Sequence, residues 1–371
     1  MSTTGTLVKP LPPKPHEAPI ESVLALLPLQ DIGPDIFTNT RPLWHPPGAR
    51  GIYGGAVIAQ SLAAAQLTIP QPAVGSGEKE FLIHSMHCYF VLAGDATKPV
   101  LYHVERVRDG KSFITRTVQA RQRGKCIFTT TLSFVREGSA GKETVDHQAN
   151  LPPKVMEALE SVEAVDDEQW GNDDEERAAL GPFLAKRLDL YNANSPDVHE
   201  KKTRQWIKCR GPISQEAGLA THLSAMAYMS DSYFIGTVSR VHGLWRIASS
   251  VPTKPNLTRK PAEDSAQLVL KKELEKLAEQ ERRENKPEQT KRIGMMVSLD
   301  HTIYFHRPRE IKADDWLFAE MSSPWAGDGR GVVFQRIWNK RGVHVASCVQ
   351  EGLARLVQTK DGMKEVSKAK I

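Results

Sequence analysis

The sequence predicts an α+β protein in which one unit, a helix followed by an antiparallel meander, occurs twice. The first observation is a pair of strand-turn patterns. "YHVERVRDGKSFITRTVQARQRGKCIFTTTLSF" places turns at Asp109-Gly110 and Arg123-Gly124, and "WLFAEMSSPWAGDGRGVVFQRIWNKRGVHVASCVQEGLARL" places them at Asp328-Gly329 and Arg341-Gly342. The second is spacing: residues 110 and 329 lie 219 apart, 124 and 342 lie 218 apart, and 90 and 305, in the matching Tyr-Phe pairs, lie 215 apart. The third is that a helical stretch rich in small residues precedes each meander. A helix and a sheet that are each apolar on one side must bury that side. Two copies side by side would therefore form one continuous curved sheet around two central helices.

Taken in order, the elements support this division. Residues 1–34 open with "MSTTGTLVKPLPPKPHEAP", which has no signal-peptide core and whose prolines predict a loose tail. The first unit, 35–140, begins with the helix "GGAVIAQSLAAAQLTI", whose row Ile58, Leu62, Ala65, Ile69 has helical spacing and ends at Pro70. Residues 141–205 carry prolines and the acidic run "DDEQWGNDDEE", and read as a linker over the surface. The second unit, 206–360, has its helix over 214–231, with Ser214 as N-cap and Glu216 in the first turn. A charged insertion, 250–292, separates that helix from its sheet, and Leu268, Leu270, Leu274 and Leu277 outline a short amphipathic helix within it. Residues 361–371 form a C-terminal tail.

Composition narrows the class. A chain of 371 residues with 40% hydrophobic and 25% charged residues is long enough for two ordinary domains. No window reaches the ~18 uninterrupted apolar residues of a membrane span. Cys88, Cys126, Cys209 and Cys348 are scattered, without metal-ligand spacing, so neither a zinc site nor a disulfide framework is indicated and a reducing compartment fits best. The net charge of +5 suits anionic small molecules as well as plain solubility, and no nucleic-acid motif accompanies it. The final residues, Ala369-Lys370-Ile371, keep the small, basic, aliphatic order of a peroxisomal import signal.

Three positions stand out chemically. Leu219, Leu223, Ala227 and Asp231 follow one another at i, i+4, so a carboxylate ends an apolar helix row. At the C-terminus of its own helix it is poorly placed for the dipole and partly desolvated, and both effects raise a carboxyl pKa. Gln350 lies on a strand where Val343, Val345, Ser347 and Val349 alternate with His344, Ala346, Cys348 and Gln350. Alternation alone leaves open whether that amide meets solvent or a site. In "VSLDHTIYF", alternation does not choose among Ser298, Asp300 and His301. "GDGRG" (327–331) lies between strands and lacks a Lys-Ser or Lys-Thr, so it reads as a hairpin turn instead of a phosphate loop.

In order, "GGAVIAQSL", "HSMHCYFVLAGD", "RDGKSF", "SLDHTIYFHRP", "SPWAGDGRG" and "VQEG" resemble the acyl-CoA thioesterase II family. The resemblance spans roughly residues 40 to 357 apart from the linker and the insertion. It implies a double hotdog fold with a structural first half and a catalytic second half. It also implies hydrolysis of fatty acyl-CoA by a water that an Asp, a Ser or Thr and a Gln activate, here Asp231, Ser298 and Gln350; only the resemblance selects Ser298. No metal or redox cofactor is expected. Arg307 and Arg330 are candidate contacts for the CoA phosphates. A homo-oligomer is expected, and so is a peroxisomal address read by the import receptor. Two rivals remain: a hotdog enoyl-CoA hydratase, which needs an Asp with a His that the sequence does not place beside Asp231, and a non-catalytic acyl-CoA-binding protein.

Overall fold

The computed structural model describes residues 5–10, 17–46, 51–72, 77–157, 159, 181–247, 265–286, 288 and 290–358. The C-terminal Ala369-Lys370-Ile371 lies outside them. The first half comprises α1 (Pro19–Leu24), β1 (Leu26–Pro28), β2 (Ile36–Asn39), α2 (Gly54–Gln66), β3 (Phe81–Phe90), β4 (Leu101–Asp109), β5 (Phe113–Gln122) and β6 (Lys125–Arg136). The second comprises β7 (Phe183–Arg187), β8 (Lys202–Cys209), α3 (Gly218–Ser230), α4 (Gly236–Val241), α5 (Ser265–Glu284), β9 (Ile293–Ser298), β10 (Asp300–Phe305), β11 (Leu317–Gly327), β12 (Arg330–Asn339) and β13 (His344–Leu356). No described helix is long and apolar enough to cross a membrane.

The strands form one antiparallel sheet in the order β1-β2-β4-β5-β6-β3-β10-β13-β12-β11-β8-β7, with β9 also on β13. The order β2-β4-β5-β6-β3 is thus repeated by β8-β11-β12-β13-β10, and pairing of β3 with β10 joins the halves. Two of the expected turns are tight two-residue reversals. Arg123 (φ 50°) and Gly124 (φ 75°) join β5 to β6, and Asp328 (φ 51°) and Gly329 (φ 70°) join β11 to β12. Both central residues of each turn are left-handed, the hairpin geometry whose twist matches that of the flanking strands.

The helices α2 and α3 run antiparallel against each other. Gln66, at the end of α2, donates to Ser224 Oγ (2.9 Å) and Ala220 O (3.2 Å), and the start of α2 meets Tyr228. Ile58, Leu62, Leu223, Met226 and Ala227 are buried in one core with sheet residues such as Met86, Leu132 and Ile303. On these buried faces Tyr102 donates to Gln60 across from β4 to α2.

Three boundaries differ from expectation. The second helix begins at Gly218, not Ser214, because Gly218 is left-handed (φ 64°) and interrupts the turn at 215–217; Ser214 Oγ accepts the Ala217 N–H of that turn and donates to Glu21. That contact belongs to a second difference: within the expected N-terminal tail, residues 19–28 form α1 and β1, with Ile20 fully buried. Within the expected linker, β7 and the first half of β8 are strands of the sheet. The stretch 149–159 supplies Ala149, Leu151, Val155 and Leu159 to a second apolar cluster built on Trp206, Trp316, Phe318 and Trp338. The expected short helix of the insertion is the 20-residue α5, with Leu270, Leu274 and Leu277 half-buried and Ala278 fully buried; the side chain of Leu268 lies outside the described residues.

Candidate active site

The site is built on a register change that alternation counting cannot see. On β13, Ser298 faces Gly352 and Thr302 faces Val349, so four steps on the β9–β10 side match three on β13. The extra residue is a β-bulge, which reverses the facing of the residues beyond it. Directly paired residues share a face and alternate residues on a strand return to it. Gln350 and Gly352 therefore point inward together, and so do Ser298 and His301, which strict alternation would separate. Asp300 steadies the bulge, its Oδ1 accepting the Glu351 N–H at 2.6 Å.

Gln350 is fully buried, which excludes the solvent-facing alternative. Its Nε2 donates to Asp231 Oδ1 (2.8 Å) and to His301 Nδ1 (3.0 Å). His301, also fully buried, reaches Ser230 Oγ through Nε2 at 3.0 Å, and Ser230 Oγ donates to Ala227 O. These partners fix the imidazole proton on Nε2, because Nδ1 must accept from the amide. Burial pushes the His301 pKa down to about 3, in keeping with that neutral form. Phe234 packs its ring edgewise against the imidazole at 5.3 Å. The amide is thus held by both hydrogens, and Gln350 Oε1 is buried with no partner among the described residues. An unpaired buried acceptor costs about 1–3 kcal/mol unless something donates to it.

Asp231 caps the C-terminal end of α3, as the apolar row predicts, yet its electrostatic setting differs from expectation. The N-terminus of α2 meets it head-on: the Gly55 N–H donates to the carboxylate, and a Cβ on Gly54 would lie 2.6 Å from Oδ2. The positive end of α2 thus offsets the negative end of α3. Burial nevertheless dominates, pushing the Asp231 pKa up to about 6 against the pull of the Gln350 and Gly55 hydrogen bonds. A carboxylate of that pKa is ionised at neutral pH and basic enough to take a proton.

The structure therefore joins Asp231 and Gln350 directly and sets Ser298 on their face, although no hydrogen bond links Ser298 to either among the described residues. Arg330 donates to Glu351 (2.7 Å), the neighbour of Gln350, and lies half-exposed near Trp325. Arg307 is exposed and bound to Asp146 (2.8 Å). His301 is the residue that sequence reasoning left unselected; its signal was the bulge, which carries no compositional mark.

Comparison with known proteins bears on this arrangement. Residues 41–135 match the acyl-CoA thioesterase N-terminal domain and residues 158–354 the acyl-CoA thioesterase C-terminal domain. The chain is 31% identical over 350 residues to acyl-coenzyme A thioesterase 8 of Rattus norvegicus, covering 91% of this chain and 88% of that protein. It is 24% identical to peroxisomal acyl-coenzyme A thioester hydrolase 1 of Saccharomyces cerevisiae, covering 90% and 93%. Among solved structures, an acyl-CoA thioesterase II from Mycobacterium marinum superposes with a TM-score of 0.57 at 26% identity, covering 91% and 98%. A protein with the hot dog fold from Alicyclobacillus acidocaldarius, at a TM-score of 0.53 and 14% identity, covers 92% and 98% and shares the fold. With both halves matched in order by its two domains, the chain belongs to the acyl-CoA thioesterase II family and is a thioester hydrolase of hotdog fold.

Proposed function

We propose that this protein is a double hotdog enzyme that hydrolyses fatty acyl-CoA to free fatty acid and coenzyme A in its second half. The observation that carries the reading is the unpartnered Gln350 Oε1 beside an Asp231 carboxylate anchored by the same amide. A water there donates one hydrogen to Gln350 Oε1 and the other to Asp231, with the Ser298 hydroxyl as a third contact. Asp231 takes the proton as the water oxygen attacks the thioester carbonyl carbon. The tetrahedral intermediate expels the CoA thiolate, which is reprotonated, and no covalent acyl-enzyme forms. General-base help of this kind is worth about 10²–10⁴ in rate. Arg307 and Arg330 are the proposed contacts for the CoA phosphates.

The same reading extends to the whole chain. The two halves are proposed on the division read from the sequence, 35–140 and 206–360, with α1 and β1 added to the first and β7 and the start of β8 added to the second. The yeast relative is named peroxisomal, and Ala369-Lys370-Ile371 suits the same destination and its import receptor. The outer edges of the sheet, at β1 and β7, suit pairing in a homo-oligomer.

The hydratase rival gains a histidine from the fold, since His301 Nδ1 lies 3.9 Å from Asp231 Oδ1. Both ring nitrogens are already engaged and the ring is neutral, so it supplies no acid to an enoyl carbon. Thiol release from a panel of acyl-CoAs, measured for the intact protein and for folded Asp231→Ala and Gln350→Ala variants, tests the proposal. Turnover by the intact protein, lost in both variants, is the expected result. Unchanged turnover in the variants would move the chemistry elsewhere, enoyl hydration would favour the hydratase, and tight binding with no turnover at all would favour the binding protein.

A further inference from the structure

Next to Gln350, the strands leave the inner face of the sheet bare. Gly352, the next inward residue on β13, pairs directly with Gly331 of β12 on one side and with Ser298 of β9 on the other. It lies two residues from Gln350, about 6.8 Å at ~3.4 Å per residue. The first half is built differently at this place. Leu132 is the counterpart of Gln350, 218 residues earlier, and two residues beyond it Phe134 pairs with Ile114. Both are 1% exposed, so there the strands fill the space with their own side chains.

In the second half a separate element fills it. Ile235, four residues after Asp231, caps α4, and α4 lies on the glycine pair. A Cβ on Gly352 would lie 2.6 Å from Ile235 Cγ1, and a Cβ on Gly331 would lie 2.7 Å from Val238 Cγ2. Gly352 is also closed in by Val297 O at 2.8 Å, whereas the nearest atoms to Gly331 all belong to Val238. The strip continues along the strands, because Met296 of β9 and Ala354 of β13 pair directly and share the inner face with Ser298 and Gly352. Ile235, Met296 and Ala354 are half-buried, so the strip reaches the surface. Its inner end is the buried, unpartnered Gln350 Oε1.

We propose that the acyl tail of the substrate lies on this glycine-floored strip, with Ile235 and Val238 as the residues that set the length and bulk of the tail. The inference rests on the thioesterase reading, which puts the thioester carbonyl beside Gln350. From that carbonyl one arm of the substrate is apolar and the other ends in the CoA phosphates, and the side chains along the strip suit the apolar arm. Glycine lets a methylene chain approach the backbone closely, and the unbranched Met296 adapts to its shape. Each methylene taken out of water adds about fourfold to affinity. The first half, filled by Ile114 and Phe134, has no such strip.

The test measures thiol release from acetyl-, octanoyl- and lauroyl-CoA by the full chain and by Ile235→Ala, Ile235→Trp, Gly331→Ala and double Gly331→Ala/Val238→Ala variants, each checked by thermal melting. The readout is the ratio of kcat/KM for lauroyl-CoA to that for acetyl-CoA, which a general loss of fold or chemistry does not move. The ratio is expected to rise about tenfold in Ile235→Ala and to fall about tenfold in Ile235→Trp. It should also fall in Gly331→Ala and recover when Val238→Ala is added. A ratio unmoved by both Ile235 variants, or a Gly331→Ala loss that Val238→Ala leaves in place, overturns the proposal. If the intact protein releases no thiol from any of these substrates, the hydrolase reading fails and calorimetry with non-hydrolysable thioether analogues of the same tails decides this one. A long-tail preference in affinity that weakens in Ile235→Trp supports it, and an unchanged preference overturns it.

Discussion

At Asp231, burial sets both reactivity and cost. With its pKa near 6, kcat/KM is expected to fall about tenfold per pH unit below that point as the base is protonated; a profile flat from pH 5 to about pH 7 would contradict this. The stability effect has the opposite direction. Because the folded pKa is raised above 3.8, the folded state binds the proton more readily, so this group favours folding at low pH and the benefit is lost as pH rises through about 6. Asp231→Asn should therefore lose about 10²–10⁴ in kcat. At pH 8 its unfolding free energy should be equal to or higher than that of the intact protein, by up to about 3 kcal/mol, in denaturant titrations. His301 acts one step back, by holding the Gln350 amide. Replacing it with Leu should cost about tenfold in kcat with little change in KM, and His301→Asn, which keeps an acceptor, should recover part of the loss. Equal losses in kcat for Leu and Asn would instead point to simple misfolding of the pocket.

At the level of elements, the crossing of α2 over the end of α3 decides how close a carboxylate can come to a helix N-terminus. Glycine is required twice in succession there, for two different reasons. A Cβ on Gly55 would lie 2.2 Å from Tyr228 O, a backbone atom that cannot move without moving α3, whereas a Cβ on Gly54 would meet the Asp231 carboxylate. Gly55→Ala is expected to lower stability by about 1–3 kcal/mol. Gly54→Ala should spare the melting temperature and reduce kcat by turning Asp231 away from Gln350. Equal stability loss in both would show that the carboxylate is not what confines Gly54. The bulge between β9 and β10 is the other decisive element, since without its extra residue Ser298 and His301 could not share the inner face.

Across the whole molecule, the two halves share even their irregularities. In β3 and β6 the register shifts between Ile83, opposite Phe134, and Ser85, opposite Ser133, and Met86 faces Leu132. Ile83, Met86 and Leu132 thus stand where the second half has Ser298, His301 and Gln350, and Leu67 caps α2 where Asp231 caps α3. One scaffold carries apolar side chains in one copy and the polar set in the other. Leu132→Gln should accordingly bury an amide without partners, lowering stability by about 1–3 kcal/mol in denaturant titrations, while thiol release per folded molecule stays unchanged. A fall in that specific activity would mean that the first half takes part in the chemistry.

The repeated meander, its Asp-Gly and Arg-Gly turns, the two small-residue helices and the apolar row ending at Asp231 were all legible in the sequence. Each depends on local periodicity or on the backbone demands of a turn, which residue order records directly. Gln350 was legible as an amide among small residues, but not as a buried one, and Ser298 was singled out only by likeness to a family. The bulge, the α2 terminus against Asp231 and the Gln350–His301–Ser230 chain were decided by the tertiary structure. Asp231 and Gln350 are 119 residues apart and His301 and Ser230 are 71 apart, so no local pattern can place them together. A one-residue change of register leaves composition untouched while reversing which side chains face inward, and only the packed sheet fixes which of the two facings exists.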